Sequence, residues 1–473
     1  MMKLSQVFNW VTASQAKGSG DIVIERVHTD TRSLKAGDLF VALKGDTFDA
    51  NSFLDQAKAM GAVAAIAHSG LHAAGLAGVE VADTRLALGE LATAWRAQFE
   101  LPLIAVTGSN GKTTVTQMVA SILKAYKKDQ AFSTEGNFNN DIGVPLTLLR
   151  LAGTHRIGVV ELGMNHPGEI AYLAKLTNPT VALVNNAQRE HLEFMGTVEA
   201  VARENGSVIE SLRPEGIAVF PSDDAYTGVW RQMAGARRTL TFSLDGAADI
   251  TGQANWVADS WQVTAKTPYG TVELKLQIAG RHNVKNALAA VACALAAGVP
   301  IGFVGSGLSA FMPVKGRSRA TTLHLFGRSV TLIDDTYNSN PDSMRAAIDL
   351  LAELPGPRLL VMGDMGEVGA QGPEFHAEAG LYAAGKGIEH LFTLGKQAAL
   401  ANKSFVGGQH FEDVETLNVA LLTQLKAVSC VLVKGSRFMK MERAIAAIAA
   451  SAQSEKDIFI KEKIEPKDTS HAA

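Results

Sequence analysis

The sequence predicts an α/β protein built on parallel sheets, and three observations carry that prediction. From Leu103 onward, short β-branched apolar runs alternate with polar or glycine-bearing turns and helix-like stretches, the grammar of parallel α/β units. The run Leu103 to Val106 leads directly into Thr-Gly-Ser-Asn-Gly-Lys-Thr-Thr at Thr107 to Thr114, which reads as a strand, a loop and a helix start. Nearly every predicted strand also ends in a polar cluster, as expected where ligands bind at the carboxyl ends of an open parallel sheet.

The elements follow in order. A piece before residue 98 has its own apolar periodicity. Strands are then predicted at Leu103 to Val106, Ile157 to Val160, Val181 to Val184, Ile217 to Phe220, Thr331 to Ile333, Leu359 to Met362, Leu391 to Leu394 and Val431 to Val433. Between about Asp249 and Leu276 the pattern changes to short alternating runs, expected to form an antiparallel patch within the central domain. A helix is expected from about Asn286 to Ala297, and Pro313 to Arg319, with Gly316, reads as an interdomain linker. The domains implied are 1–97, 98–312 and 313–455, followed by a lysine-, glutamate- and aspartate-rich tail over 456–473.

Composition bounds the function. At 473 residues, with 19% charged residues and a net charge of −3, the totals carry no electrostatic footprint for nucleic acid or an anionic membrane. Small-molecule partners are expected. The two cysteines, Cys293 and Cys430, sit in apolar runs without metal-ligand spacing and are expected to be inert core residues. Gln6 and Asn9 interrupt any apolar leader, and the apolar stretch Ala287 to Val299 is too short to span a bilayer, so a soluble cytoplasmic protein is expected.

The loop at Thr107 to Thr114 gives the first chemistry. Gly108 and Gly111 let the backbone approach an anion, and the helix opening at Lys112 adds its positive end. In such loops the lysine, here Lys112, reaches the terminal phosphates of a nucleotide, and the next hydroxyl, Thr113, holds magnesium. Val106 stands where the standard pattern has a further glycine, so the loop is a shortened variant.

The chain resembles the Mur ligase family. The resemblance rests on that shortened loop, on Gly280-Arg281-His282-Asn283 with Asn286, and on the Gly316-Arg317 linker. It rests also on Thr134 to Pro145, the Asp335 to Pro341 segment Asp-Thr-Tyr-Asn-Ser-Asn-Pro, Gly363 to Val368 and Val433 to Arg437. It implies a three-domain architecture: a small N-terminal α/β domain binding a UDP-substrate, a central ATP-binding P-loop domain with a parallel sheet, and a C-terminal Rossmann-like domain. The four later segments point to the branch that joins D-alanyl-D-alanine to the terminal carboxylate of a UDP-N-acetylmuramoyl-tripeptide through an acyl phosphate, with ATP and Mg2+, in peptidoglycan precursor synthesis. A monomer without nucleic-acid or membrane partners is expected.

The same resemblance implies site roles. ATP would be held by Gly108, Ser109, Asn110, Gly111, Lys112, Thr113 and Thr114, together with Asn283, Arg317, Asp335 and Asn338. The substrates would meet Thr31, Arg32, Ser33, Lys44 and Gly45 in the first domain, Asn137, Asn139 and Asn140 in the second, and Tyr337, Ser436 and Arg437 in the third. Lys112, His191 and Lys434 would be catalytic, and the metal ions would be held by Thr113, Glu161 and His191. Many family members carry a carbamylated lysine for the second metal where this chain has Asn205; Glu204 or water would complete the shell, or the second site is weaker, and Glu204 is the preferred reading. The readings weighed against this are a folylpolyglutamate synthase-like ligase and a P-loop nucleotide switch that makes no bond. The Thr31 to Gly45 region and the Asp335 to Pro341 segment stand against each in turn.

Overall fold

A computed structural model describes residues 1–45, 47–257 and 260–452, so the expected tail over 456–473 lies outside the described residues. Among the described residues the strands form three large sheets and one two-stranded ladder, Met2–Lys3 with Val23–Ile24.

The central sheet runs Gly270–Leu276, Ser260–Thr267, Ile250–Val257, Arg238–Ser243, Ile217–Pro221, Val181–Val184, Leu103–Thr107, Ile157–Glu161, Ala131–Ser133. Leu103–Thr107 is buried at every position and lies between Val181–Val184 and Ile157–Glu161, parallel to both. An uninterrupted apolar run is what a strand covered on both faces requires. One face packs against the helices Lys112–Lys127 and Arg281–Ala296 through Val115, Val119, Leu288 and Val291. The other face meets Thr84–Arg96, Glu169–Thr177 and Val198–Glu210 through Leu88, Leu173 and Val201.

The expected antiparallel patch is present, and it continues the central sheet. Ile250–Val257 pairs parallel to Arg238–Ser243 and then antiparallel to Ser260–Thr267. The helix expected from Asn286 starts earlier, at Arg281, because Gly280, with φ 91°, releases the chain into the first turn. Asn283 and Asn286 therefore project from the helix start rather than from a loop.

The N-terminal sheet runs Gln15–Lys17, Ala77–Glu80, Ala64–Ala67, Asp38–Val41, Arg26–His28 and is parallel except for its first strand. Its helix Thr84–Arg96 shares the central core. Trp95 Nε1 donates to the Leu151 carbonyl at 3.1 Å and Arg96 Nε to the Thr177 carbonyl at 2.9 Å.

The C-terminal sheet runs Arg319–Leu325, Arg328–Asp335, Cys430–Lys434, Arg358–Gly363, His390–Leu394, Gln409–Phe411, with only Arg319–Leu325 antiparallel. Pro341–Ala352 and Gly372–Gly385 cover one face, Val414–Gln424 and the helix over 442–452 the other. Its strands Arg328–Asp335 and Cys430–Lys434 are neighbours, so Asp335 and Lys434 emerge side by side. Both cysteines are free and buried, and burial pushes their thiols up. No helix among the described residues is long and apolar enough to cross a membrane.

Candidate functional site

The carboxyl ends of the three adjacent central strands place Gly108, Glu161 and Asn185 at one edge, and the sheet geometry makes both loop glycines obligatory. Gly108 has φ 130°, and a Cβ there would lie 2.9 Å from the Asn185 nitrogen. Gly111 has φ 82°, with the Asn286 Oδ1 at 2.6 Å from any Cβ. Both positions exclude a side chain sterically and conformationally.

Amide side chains fasten the loop. Asn186 Oδ1 accepts from the Asn110 nitrogen at 2.8 Å, and its carbonyl accepts from the Ser109 nitrogen at 3.1 Å. Asn185 Nδ2 donates to the Asn110 carbonyl at 2.8 Å and to Asn286 Oδ1 at 2.9 Å. The Ser109 and Asn110 amides are thereby engaged, which leaves the first turn of Lys112–Lys127 as the anion-facing part of the loop.

Lys112 is drawn back over this loop. Its Nζ donates to the carbonyls of Gly108 at 2.6 Å and Ser109 at 3.1 Å, and to Glu190 Oε1 at 2.6 Å. Thr113 Oγ1 donates to Glu161 Oε1 at 3.0 Å and accepts from Arg317 at 3.0 Å; Asn139 Nδ2 donates to the same carboxylate oxygen at 2.8 Å. Hydroxyl and carboxylate oxygens of this kind are the hard donors that magnesium prefers.

A cavity of about 820 Å³ lies between this edge and the C-terminal sheet. Its central side includes Ser109 to Thr114, Asn137, Asn139, Asn140, Glu161, His191 and Asn283; its far side includes Arg317, Asp335, Tyr337, Asn338, Lys434 and Arg437. The structure therefore brings these expected residues together. Lys434 Nζ lies 2.6 Å from Asp335 Oδ2 and donates to the Asn338 carbonyl at 2.9 Å. Burial would raise the Asp335 carboxyl, but Lys434 outweighs it and holds the group below its ordinary value. The Arg317 guanidinium stacks 4.0 Å from the Tyr337 ring centroid, which fixes the fork that reaches Thr113.

His191 sits between two carboxylates. Its Nδ1 is 2.7 Å from Glu367 Oε2, an ion-pair approach without hydrogen-bond alignment, and its Nε2 is 3.5 Å from Glu190 Oε1. Burial alone would lower its pKa, but Glu190 and Glu367 raise it to about 9. In this arrangement His191 is an imidazolium, and it must lose a proton before it can ligate a metal.

Two expected site residues, Glu204 and Ser436, face elsewhere. Glu204 spends both carboxylate oxygens on the amides of Gly168 at 2.9 Å and Ile170 at 2.8 Å, capping the helix Glu169–Thr177. It is not placed as a metal ligand: a carboxylate held by two helix N-terminal amides is already satisfied. Asn205, 1% exposed, accepts from Thr107 Oγ1 at 2.6 Å and from the Gly108 nitrogen at 3.0 Å, so it braces the loop instead. Ser436 is also turned inward, with its hydroxyl donating to the Ser339 carbonyl and accepting from the Gly366 nitrogen. It ties two loops together rather than meeting a ligand.

Thr31, Arg32, Ser33, Lys44 and Gly45 lie apart from this cavity, beyond the carboxyl ends of the neighbouring N-terminal strands Arg26–His28 and Asp38–Val41. Arg32 is exposed and pairs with Asp30 at 2.7 Å; Ser33 Oγ lies 2.8 Å from His28 Nε2. Asn186, Glu190 and Asp342 also line the cavity, although no role was expected for them from sequence. The signal available was the polar run Asn185 to Glu190 directly after a buried strand.

Three family models match the chain: the Mur ligase middle domain over residues 106–294, the Mur ligase glutamate ligase domain over 319–437, and the Mur ligase family catalytic domain over 23–96. The UDP-N-acetylmuramoyl-tripeptide–D-alanyl-D-alanine ligase of Escherichia coli K12 is 42% identical over 90% of this chain and 94% of its own. A crystal structure of MurF from Acinetobacter baumannii is 35% identical and superimposes with a TM-score of 0.87, over 94% of this chain and 98% of its own. The MurF ligase of Thermotoga maritima in complex with ADP, 27% identical, matches with a TM-score of 0.81 over 92% of this chain and 100% of its own.

Proposed function

Since the chain belongs to the Mur ligase family, whose members are ATP-dependent ligases forming C–N bonds, we propose that it joins D-alanyl-D-alanine to the terminal carboxylate of a UDP-N-acetylmuramoyl-tripeptide in peptidoglycan synthesis. The observation that carries this reading is the cavity itself, where a phosphate loop faces Arg317, Lys434 and Arg437 across space for a nucleotide and an acyl group. A carboxylate is a poor electrophile. Its oxygen attacks the γ-phosphorus of ATP, ADP departs, and the amine of the dipeptide then attacks the acyl carbon with release of phosphate.

The protein's part is positioning and charge compensation. Lys112 exchanges Glu190 for the terminal phosphates, which the first turn from Gly111 to Thr114 receives while Gly108, Ser109 and Asn110, held by Asn186 and Asn205, shape the loop around them. Arg317 steadies the phosphate charge, Asn283 and Asn338 border the nucleotide, and Asp335 takes the ribose with the oxygen lone pairs that Lys434 and Ser318 leave free. Thr113 and Glu161 are the residues that would hold magnesium, with His191 joining once deprotonated; bound there, the ion draws charge from the phosphoryl oxygens. Tyr337, Arg437, Lys434 and the Asn137, Asn139 and Asn140 loop border the acyl and dipeptide side. Thr31, Arg32, Ser33, Lys44 and Gly45 offer hydroxyls, cations and a turn for the uracil and diphosphate.

The reading takes the domains as 1–97, 98–312 and 313–455 and the protein as a monomer, because the groups named all belong to one chain, acting in the cytoplasm, where ATP and nucleotide-linked precursors are at hand. The test is phosphate release and product mass with ATP, D-alanyl-D-alanine and UDP-muramoyl-peptides of each length. Turnover requiring the tripeptide is expected; turnover only with a folate and glutamate would overturn the reading.

A further inference from the structure

Glu190 is 7% exposed, lines the cavity and offers its two oxygens unequally. Oε1 takes Lys112 at 2.6 Å, while Oε2 is fully buried and has no hydrogen-bond partner. A buried carboxylate oxygen left unpaired is costly, and such an atom calls for a partner that arrives from outside the chain. Lys112 is also the residue that must leave Glu190 if it is to reach a nucleotide phosphate. Once it leaves, the His191 ring 3.5 Å from Oε1 is the cation that stays beside Glu190, and Oε2 is still unpaired next to the phosphate loop.

We propose that Glu190 is a divalent-cation ligand of the phosphoryl-transfer site, released from Lys112 when the nucleotide binds. The inference rests on the ATP-dependent reading above and adds a residue to it. Neighbouring groups narrow the choice. Glu204 has both oxygens on helix amides, and Asn205 is neutral and committed to Thr107 and Gly108. Glu161 faces Thr113, and Glu367 faces His191 from the C-terminal side. Glu190 alone among these combines an unpartnered oxygen, burial and a displaceable cation. A hard divalent ion accepts carboxylate oxygen and suits the charge that Lys112 vacates.

The exchange has a directional consequence. Glu190 shields Lys112 before the nucleotide enters and stabilises the metal afterwards, so loss of its charge should act on metal affinity more than on folding.

The experiment uses the full chain and Mn2+ as probe, titrated by electron paramagnetic resonance with and without a non-hydrolysable ATP analogue. In the presence of the analogue, the Glu190→Gln variant should bind Mn2+ at least about tenfold more weakly than the parent, a loss of the size seen when a metal's supporting groups are removed. Glu190→Asp, which keeps the charge on a shorter arm, should recover part of that affinity, and it replaces the glutamine variant if that one does not fold. Unchanged Mn2+ affinity in Glu190→Gln, or in Glu190→Asp as its substitute, overturns the proposal. A parent chain that binds neither the analogue nor Mn2+ with it would instead overturn the ATP-dependent reading.

Discussion

Lys112 and Glu204 show what single residues disclose in sequence and what they conceal. Lys112 is legible because a strand, a glycine turn and a helix start fix its position by local chemistry alone. Replacing it with alanine should lower turnover by roughly 10²–10³-fold, as for loss of one preorganised charge donor, while leaving UDP-substrate binding to the N-terminal domain intact. Calorimetric titration with the UDP-substrate and a rate assay check both halves, and retained activity would contradict the loop assignment. Glu204 was illegible because its partners, Gly168 and Ile170, lie on another helix more than thirty residues away in sequence. Glu204→Ala should cost about 1 kcal/mol of stability through the lost cap and leave the magnesium requirement unchanged. A raised magnesium requirement in a well-folded variant would return it to the metal site. Asn205 and Ser436 escaped for the same reason, since their partners, Thr107 and Gly108 for one and Ser339 and Gly366 for the other, lie seventy or more residues away in sequence.

At the scale of elements, most buried parallel strands after residue 98 were legible, but Arg238–Ser243, and Asp38–Val41 and Ala64–Ala67 in the N-terminal sheet, were not, nor were the edges. Leu103–Thr107 and Val181–Val184 announce themselves as continuous apolar runs, whereas the half-buried edge strand Gln409–Phe411 and the mostly exposed edge strand Arg319–Leu325 lack that signal. The antiparallel patch was visible as alternation, but its attachment to the central sheet is a matter of register that alternation does not encode. The helix Gly372–Gly385 carries a further consequence. His376, wholly buried, has Nδ1 2.6 Å from the Gly372 carbonyl, and its Nε2 accepts from the Met365 nitrogen at 2.9 Å, an arrangement suited to the neutral ring. Burial lowers its pKa, so the folded state binds its proton less readily than the unfolded chain does. The stability it contributes is therefore complete above the ordinary value of about 6.5 and is lost as pH falls below it. Melting temperatures between pH 7.5 and 5.5 should fall more in the parent than in His376→Gln, and an equal fall in both would contradict this account.

For the molecule as a whole, the cavity exists because two domains meet across it. Arg189, directly before Glu190, pairs with Asp342 at 2.7 Å and Glu378 at 2.8 Å, and Asn110 in the phosphate loop exchanges amide hydrogen bonds with Asn340 at the start of Pro341–Ala352. This clasp holds the C-terminal cations over the loop, and in the proposed reaction it would help exclude water from the acyl phosphate. Arg189→Ala should loosen it, giving a larger radius of gyration without nucleotide and a return toward the parent value with an ATP analogue and UDP-substrate. Superimposable scattering profiles would count against the clasp. The central claim is that the carboxylate is activated as an acyl phosphate, and isotope transfer tests it most directly. With both oxygens of the tripeptide's terminal carboxylate labelled with 18O, the account predicts one labelled oxygen in each released phosphate, the other remaining in the new amide. Product formed alongside unlabelled phosphate would contradict it.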